Sequence, residues 1–433
     1  MTLTEAAGTT AQRETRYAYD KAGRLVRQDV GPAALNVRTS FVYDVNGNVI
    51  ERRDSLDANA ANDVVTRHVY DADNQLTATI DGAGAVVRRG YDAKGRLILL
   101  VEHAVVLTPA QRQALGAQPS EAQVVAAVAA SANDRTTGYI YDNNDRLVFA
   151  VDAAGQPIEY VYDGSGNIIR TVQYAGVLTG QPGVAPPYSR DAVTTVLRGA
   201  AFANNANNRT TVAAYDAAGR QRYAVNALGY VTAFARNASG QVVKSVQHAT
   251  ASSGLTTLAQ LDAWALANAS AQDRTTRAVY DTAGRAAFTV DAAGYVTRTT
   301  YSGDLVQTTS RFATAVTVAD GASAATVAAL VAAQEAAAVT TTYGYDQARR
   351  VNEITDAMGV LTRLELDGLG RVVREWSARQ TADESITARV FDAAGRVMSE
   401  TRGEGAENAA TTWTYDGLGR VLTQTEPTGG VTR

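Results

Sequence analysis

Carboxylates able to do acid–base chemistry recur along this chain in one pattern, an Asp, replaced by Asn at 226 and 237, followed three residues later by Gly. The copies begin at Asp20, Asp44, Asp81, Asp92, Asp152, Asp163, Asp216, Asn226, Asn237, Asp281, Asp291, Asp356, Asp367, Asp392 and Asp416. A glycosidase-type centre needs two carboxylates in different surroundings, one with a raised pKa, and these all share one surrounding. They fit a turn instead. The short side chain accepts hydrogen bonds from backbone amides two or three residues on, and Gly takes the left-handed conformation that closes a type I turn with a bulge. Asp142, Asp152, Gly155, Asp163, Gly166, Asp216, Gly219, Asp281, Gly284, Asp291 and Gly294 are therefore expected as structural turn residues, and no catalytic residue is assigned. Asn74 and Asp145 stand where Gly closes the other turns, and both residue types tolerate that conformation. Arg349 does not, so Asp346–Arg349 is expected to be strained or a different turn.

The histidines point to packing rather than catalysis. His103 follows Asp92, Tyr174 follows Asp163 and His248 follows Asn237 at one interval, each after the third turn of a triplet, and Phe312 holds the matching place in a shorter unit. A position that accepts His, Tyr and Phe is a slot for a flat ring; His68, just before a turn, reads the same way. Phosphate loops, HExxH helices, GxSxG elbows and GxGxxG turns are absent from the sequence, so neither cofactor nor metal is expected. Asn208-Arg-Thr210 and Asn268-Ala-Ser270 match a glycosylation acceptor, a pattern short enough to arise by chance. Tyr dominates the aromatics, with 20 copies against 7 Phe and 3 Trp, and is expected to stack along a sheet under Arg.

The turns must be positioned by strands. Asp142, Asp152 and Asp163 mark a 10-then-11 step, and four other triplets repeat it. Removing about four turn residues leaves strands of about six, rich in Tyr, Val, Ile and Thr. The expected fold is all-β: tandem antiparallel hairpins forming one long curved sheet, with short helical insertions. Triplets start at 71, 142, 216, 281 and 346, giving five long modules over 63–378, flanked by short repeats over 1–62 and 379–433, in one continuous array.

Inserts fall near 108–132, 176–207, 250–272 and 314–337. In the first, Pro109 suits a first helical position and Ser120 with Gln123 resembles a capping box. The third places Leu258, Leu261 and Leu266 around Trp264; the fourth spaces Val327, Leu330 and Val331 for one helical face. The second holds Pro182, Pro186 and Pro187 and is expected as loop, with a short helix near 191–198.

Composition narrows the class. The chain is 433 residues long, 45% hydrophobic and 19% charged, which permits a sizeable core. A net charge of -4 offers no basic field for nucleic acid, and the absence of Cys removes disulfides and thiolate metal sites. No apolar run approaches the roughly 18 residues of a membrane span. The opening MTLTEAAGTTAQRETR does not read as an export leader.

The units RYAYDKAGRLVRQ (16–28), SFVYDVNGNVIER (40–52) and TTWTYDGLGRVLTQ (411–424) resemble the YD repeat of Rhs proteins, of Tc toxin B and C components and of teneurins. That resemblance implies a sheet spiralling into a hollow shell that, in bacterial members, encloses a C-terminal toxin. The DPxG-type core and self-cleaving Asp of those shells have no match here, so no cleavage residue is carried over. The close parallel of 426–433 with 291–298 suggests an array cut within a repeat. The expected function is a non-catalytic stretch of shell wall in a secreted or surface-associated bacterial protein. Its partners would be the enclosed toxin or further repeats, and open sheet edges would favour self-association. The alternative is a carbohydrate-binding surface, with Trp376 and Trp413 as candidate stacking residues for a glycan.

Overall fold

The computed structural model describes residues 2–5, 13–30, 37–55, 63–367, 370–392, 395–403, 409–415 and 421–432. The turn at Asp416 lies outside them. The protein is all-β, and its described strands pair antiparallel with their neighbours in sequence. Chain contacts divide it into two compact units: Met1–Gly90 with Val101–Asp134 and Thr341–Arg433, and Tyr91–Leu100 with Arg135–Thr340.

In the second unit, consecutive strands from Arg135–Tyr141 to Leu305–Arg311 each pair with the next. The first unit has the same meander from Thr2–Glu5 to Val86–Tyr91, and again over its C-terminal stretch as far as Val431–Thr432. Strand alternation sends every second residue to one face. In Leu147–Val151 these are Phe149 and Val151, and in Leu76–Ile80 they are Ala78 and Ile80, all buried.

The inserts cover that face. The first unit carries α1 (Pro109–Ala114) and α2 (Glu121–Ala127). Thr108 with Gln111, and Ser120 with Gln123, form reciprocal capping boxes. The second unit carries α3 (Arg190–Arg198), α4 (Ala200–Ala203), α5 (Leu258–Ala267) and α6 (Ala324–Val331). Helices this short do not persist alone. They hold because each seats a few side chains on the sheet: Val124 on Ile80 and Val86, Val193 and Leu197 on Phe149 and Val151, Leu261 on Tyr223 and Val225, and Val327 and Val331 on Phe288 and Val290. Each buried Val or Leu contributes about 1.5–3 kcal/mol.

The apolar stripes differ from the expectation at two leucines. Leu266 is 84% exposed, because by the fifth residue after Leu261 the helix has turned well past the sheet. Leu330 is likewise exposed, since Val327 and Val331, one turn apart, already define the contact line.

Candidate functional site

The turns form two classes that the sequence pattern merges. In both, the side-chain oxygen Oδ1 accepts the amides two and four residues on, not two or three. Asp142 takes Asn144 N at 2.8 Å and Arg146 N at 2.9 Å. The amide three residues on bonds the Asp backbone carbonyl instead, as in Gly166 N to Asp163 O at 3.2 Å. In the class where Tyr, Phe or, at Asp367, Leu precedes the Asp, Oδ2 is left for the residue after the Gly. Arg146 Nε donates to Asp142 Oδ2 at 2.8 Å. Asn167 fills that role for Asp163 at 2.9 Å.

Arg349 keeps the same turn. Its φ of +63° and its amide bond to Asp346 O at 2.9 Å match the other copies. The expectation of another turn type fails because several hydrogen bonds between Asp346 and the Arg349–Arg350 pair define the loop. Their combined strength exceeds the roughly 1–2 kcal/mol that a left-handed Arg costs.

The turn Arg then reaches onward. Its guanidinium lies over the Tyr ring that precedes the next turn, with Arg24 over Tyr43 at 4.7 Å, Arg96 over Tyr141 at 4.8 Å, Arg146 over Tyr162 at 4.8 Å and, before a turn that starts with Ser302, Arg285 over Tyr301 at 4.5 Å. Its Nη1 donates to the next Asp carbonyl, as in Arg146 to Asp163 O at 3.3 Å. The Tyr hydroxyl answers by donating back to the preceding hairpin, Tyr162 to Leu147 O at 2.7 Å and Tyr43 to Leu25 O at 2.7 Å. Each such repeat is thus clasped to its successor by one cation–π contact and two hydrogen bonds. The Arg stacks on the ring of the following turn and not on the Tyr beside its own.

The second class lies at the middle turn of each triplet, where no Arg follows the Gly. In the four triplets that an insert follows, the Gly carbonyl accepts an amide from it: Leu107 N to Gly84 O at 2.8 Å, Leu178 N to Gly155 O at 2.8 Å, Ser252 N to Gly229 O at 2.8 Å and Val316 N to Gly294 O at 2.9 Å; the fifth middle turn, at Gly359, faces open space. A Cβ on Gly84 would lie 2.3 Å from Leu107 O. Gly166 and Gly219, in the first class, have open space at that position. So Asp152, Gly155, Asp291 and Gly294 seat inserts, whereas Asp142, Asp163, Gly166, Asp216, Gly219, Asp281 and Gly284 belong to the clasped edge.

The ring slot brings further polar residues together. His103 Nδ1 lies 2.9 Å from Asp134 Oδ2, and His248 Nδ1 lies 2.9 Å from Asp273 Oδ2 with Trp264 edge-on to its ring. The same carboxylates accept the amides of Ala104 and Ala249, a task that Asn208 performs for Ala175. Tyr174 instead donates to Glu159 at 2.7 Å, and Arg198 of α3 ion-pairs with Glu159. Burial and that carboxylate push the Tyr174 hydroxyl up to about 12, while Arg198 and Tyr174 outweigh burial to hold Glu159 below its ordinary value. Phe312 is fully buried under Arg298. His68 stays apart, held below the usual imidazole range by burial and by Arg89 and Arg52. The carboxamides of Asn208 and Asn268 bond the backbone carbonyls of Phe202 and Trp264.

These electrostatics disfavour acid catalysis at the turns. At Asp142 burial would raise the pKa, but the Arg146 amide and guanidinium outweigh it; at Asp216 the Arg220 amide is the largest influence, and both carboxyls sit below their usual range. A general acid needs the opposite shift. Trp376 and Trp413 occupy opposite faces of their sheet: Trp376 pairs with Ile386, on the face of Ala388, Thr401 and Thr412, whereas Trp413 is one residue past Thr412. Trp376 has Arg374 and Arg379 against its ring at 5.5 and 5.2 Å. Among the described residues no group of three or more acidic or His side chains is placed to hold a metal ion, and no helix is long and apolar enough to cross a membrane.

The family model described as RHS Repeat matches two stretches of this array of hairpins, residues 70–102 and 387–431. Solved structures share the fold. The TcdB2-TccC3 complex aligns at a TM-score of 0.59 and 14% identity over 97% of this chain and 20% of that one. TcdB2-TccC3-Cdc42 aligns at 0.58 and 14% over 96% and 19%, and the pore form of the Photorhabdus luminescens Tc holotoxin at 0.56 and 14% over 96% and 20%. The chain therefore spans about one fifth of the length of these relatives. No curated protein sequence matches it.

Proposed function

We propose that this chain is a stretch of wall in an RHS-type shell that encloses a toxin polypeptide, without catalysis of its own. The observation that carries the reading is the clasp. A wall must join each strand pair to the next without a break, and the Asp–Gly–Arg–Tyr unit does that with the same atoms at successive turns. The chemical groups that recur are consumed in holding the sheet together. The fold shared with Tc toxin components supports the shell, and the match to one fifth of their length suits a part of such a wall. We extend the proposal to a secreted bacterial setting, with partners drawn from the enclosed polypeptide or further repeats, and to self-association of the isolated chain through unpaired strand edges.

Small-angle scattering combined with electron microscopy of the 433-residue chain tests the reading. Curved sheet segments that bury the ends of the array against another copy are expected. A straight monomeric rod would overturn it. The opposed faces of Trp376 and Trp413, and the guanidinium groups on Trp376, give the glycan-binding alternative no joint platform.

A further inference from the structure

We propose that the second unit contains a binding site for a phosphate-type oxyanion, centred on Arg236, where the clasp is interrupted. Arg220 holds its own turn carboxylate, with Nε 2.9 Å and Nη2 2.8 Å from Asp216 Oδ2. Beyond that it finds neither a ring nor a carbonyl, unlike the other described turn arginines. Its side chain is 42% exposed, against 18–35% for those that reach the next turn. The cause is local: the residue before the next turn, elsewhere Tyr, Phe or Leu, is Arg236.

Arg236 replaces the Tyr only in part. Its Nη2 donates to Gln221 O at 3.3 Å, the counterpart of the Tyr162 bond to Leu147 O, and its Nη1 donates to Gly240 O at 3.0 Å. Its Nε is buried without a partner. The turn that follows carries Asn237 and Gln241 in place of Asp and Arg, bonded to each other at 2.8 Å. The carboxylate that a guanidinium at this edge normally meets is therefore missing, and among the described residues no other ion-pairs with Arg236. A neutral side chain would serve a purely structural role, so an uncompensated, part-buried cation points to an external anion.

The surroundings have room for one. Cavities of about 460 and 890 Å³ share Arg236 and Lys244 as lining residues; the smaller adds Arg220 and Arg222, the larger Arg277. Five cations face three carboxylates there, and Asp216, Asp281 and Asp320 are already paired with Arg220, Arg285 and the Lys244–Arg277 couple. Arg222 pairs with Asp262, which leaves Arg236 as the cation in want of a counter-charge. Guanidinium groups bind tetrahedral oxyanions through paired N–H donors, which favours a phosphate or phosphate ester that can enter from solvent.

The inference does not depend on the shell reading. Calorimetric titration of the whole chain at constant ionic strength tests it, one arm with inorganic phosphate and one with a hexose phosphate, so that a free anion and an esterified one are told apart. Saturable binding of at least one probe at one site is expected. Arg236→Tyr, which restores the ring for Arg220, and Arg236→Gln, which keeps a donor for Gln221 O, should each weaken it at least tenfold. Absence of saturable binding by either probe, or affinity unchanged in both variants, overturns the proposal.

Discussion

Gly47 and Gly84 belong to the same unit and have nearly the same backbone, with φ of +92° and +91°. Replacing each by Ala separates the two classes of turn. At Gly47 an added Cβ meets open space. Gly47→Ala therefore costs only the left-handed strain, about 1–2 kcal/mol. At Gly84 the same atom would lie 2.3 Å from Leu107 O and 3.2 Å from Leu107 N, a backbone collision that no rotamer relieves. Gly84→Ala must also break the hydrogen bond from Leu107 N to Gly84 O, worth about 1 kcal/mol. It must further lift Leu107 from its cluster with Ile80, Val86 and Val124, a loss of about 2–5 kcal/mol. The extra cost is about 3 kcal/mol or more, limited by the docking energy of the insert, since undocking relieves the clash. An array of repeats does not unfold in one step, so a local readout is the right assay. Hydrogen exchange at the Leu107 amide should quicken about a hundredfold in Gly84→Ala, at about 1.4 kcal/mol per factor of ten, and stay unchanged in Gly47→Ala. Exchange at Leu107 within threefold of the parent in Gly84→Ala would refute the assignment of these glycines to insert seating.

Further outcomes follow from the same geometry. Tyr162→Phe should remove the bond to Leu147 O but keep the Arg146 stack. That costs about 1 kcal/mol in local exchange stability, whereas Tyr162→Ala loses both contacts and should cost clearly more. Turn carboxylates such as Asp142 are held below their ordinary range. With an unfolded value of about 3.9, their contribution is complete above that pH and disappears as pH falls through the lower folded value. Thermal melts should accordingly fall steeply below about pH 4, beneath a shallower decline below about pH 6.5 from His68, whose folded value is lowered, and Asp142→Asn should reduce the steepness of the acid limb. Asp134→Asn should melt close to the parent and Asp134→Ala well below it, because Asn208 already performs the amide-accepting role in another module. Glu159→Gln should loosen α3, seen as faster proteolysis within residues 176–199, because Arg198 and Tyr174 both lose a charged acceptor.

Much of this architecture can be read from local chemistry. The Asp-to-Gly spacing determines the turn, since the hydrogen bonds that close it lie within four residues, and the 10-then-11 step determines antiparallel hairpins. Capping at Ser120 and at Pro109 is equally local, as is the substitution of Gly by Asn74 and Asp145. The direction of the clasp is not local. Arg146 stacks on Tyr162 and Arg96 on Tyr141 only because the folded sheet places those turns side by side, across one intervening hairpin in the first case and a whole insert in the second.

Even so, a trace of the two classes was present in the residue after the Gly. It is Arg, Asn or Gln at most turns that start or end a triplet, and Ala, Gln, Tyr or Val at the middle ones. What that trace could not reveal is what each Gly faces, because Leu107 O and open solvent leave the same single letter in the sequence. The carboxylate partners of His103 and His248 lie on the far side of an insert along the chain, and the folded insert alone decides that they meet. By itself the sequence determined the repeating hairpin and its turn chemistry, whose energies are set within a few bonds along the chain. The tertiary structure decided which repeats clasp, which glycines seat inserts and where Arg236 lacks a counter-ion, because those depend on side chains brought together only when the sheet and its inserts pack.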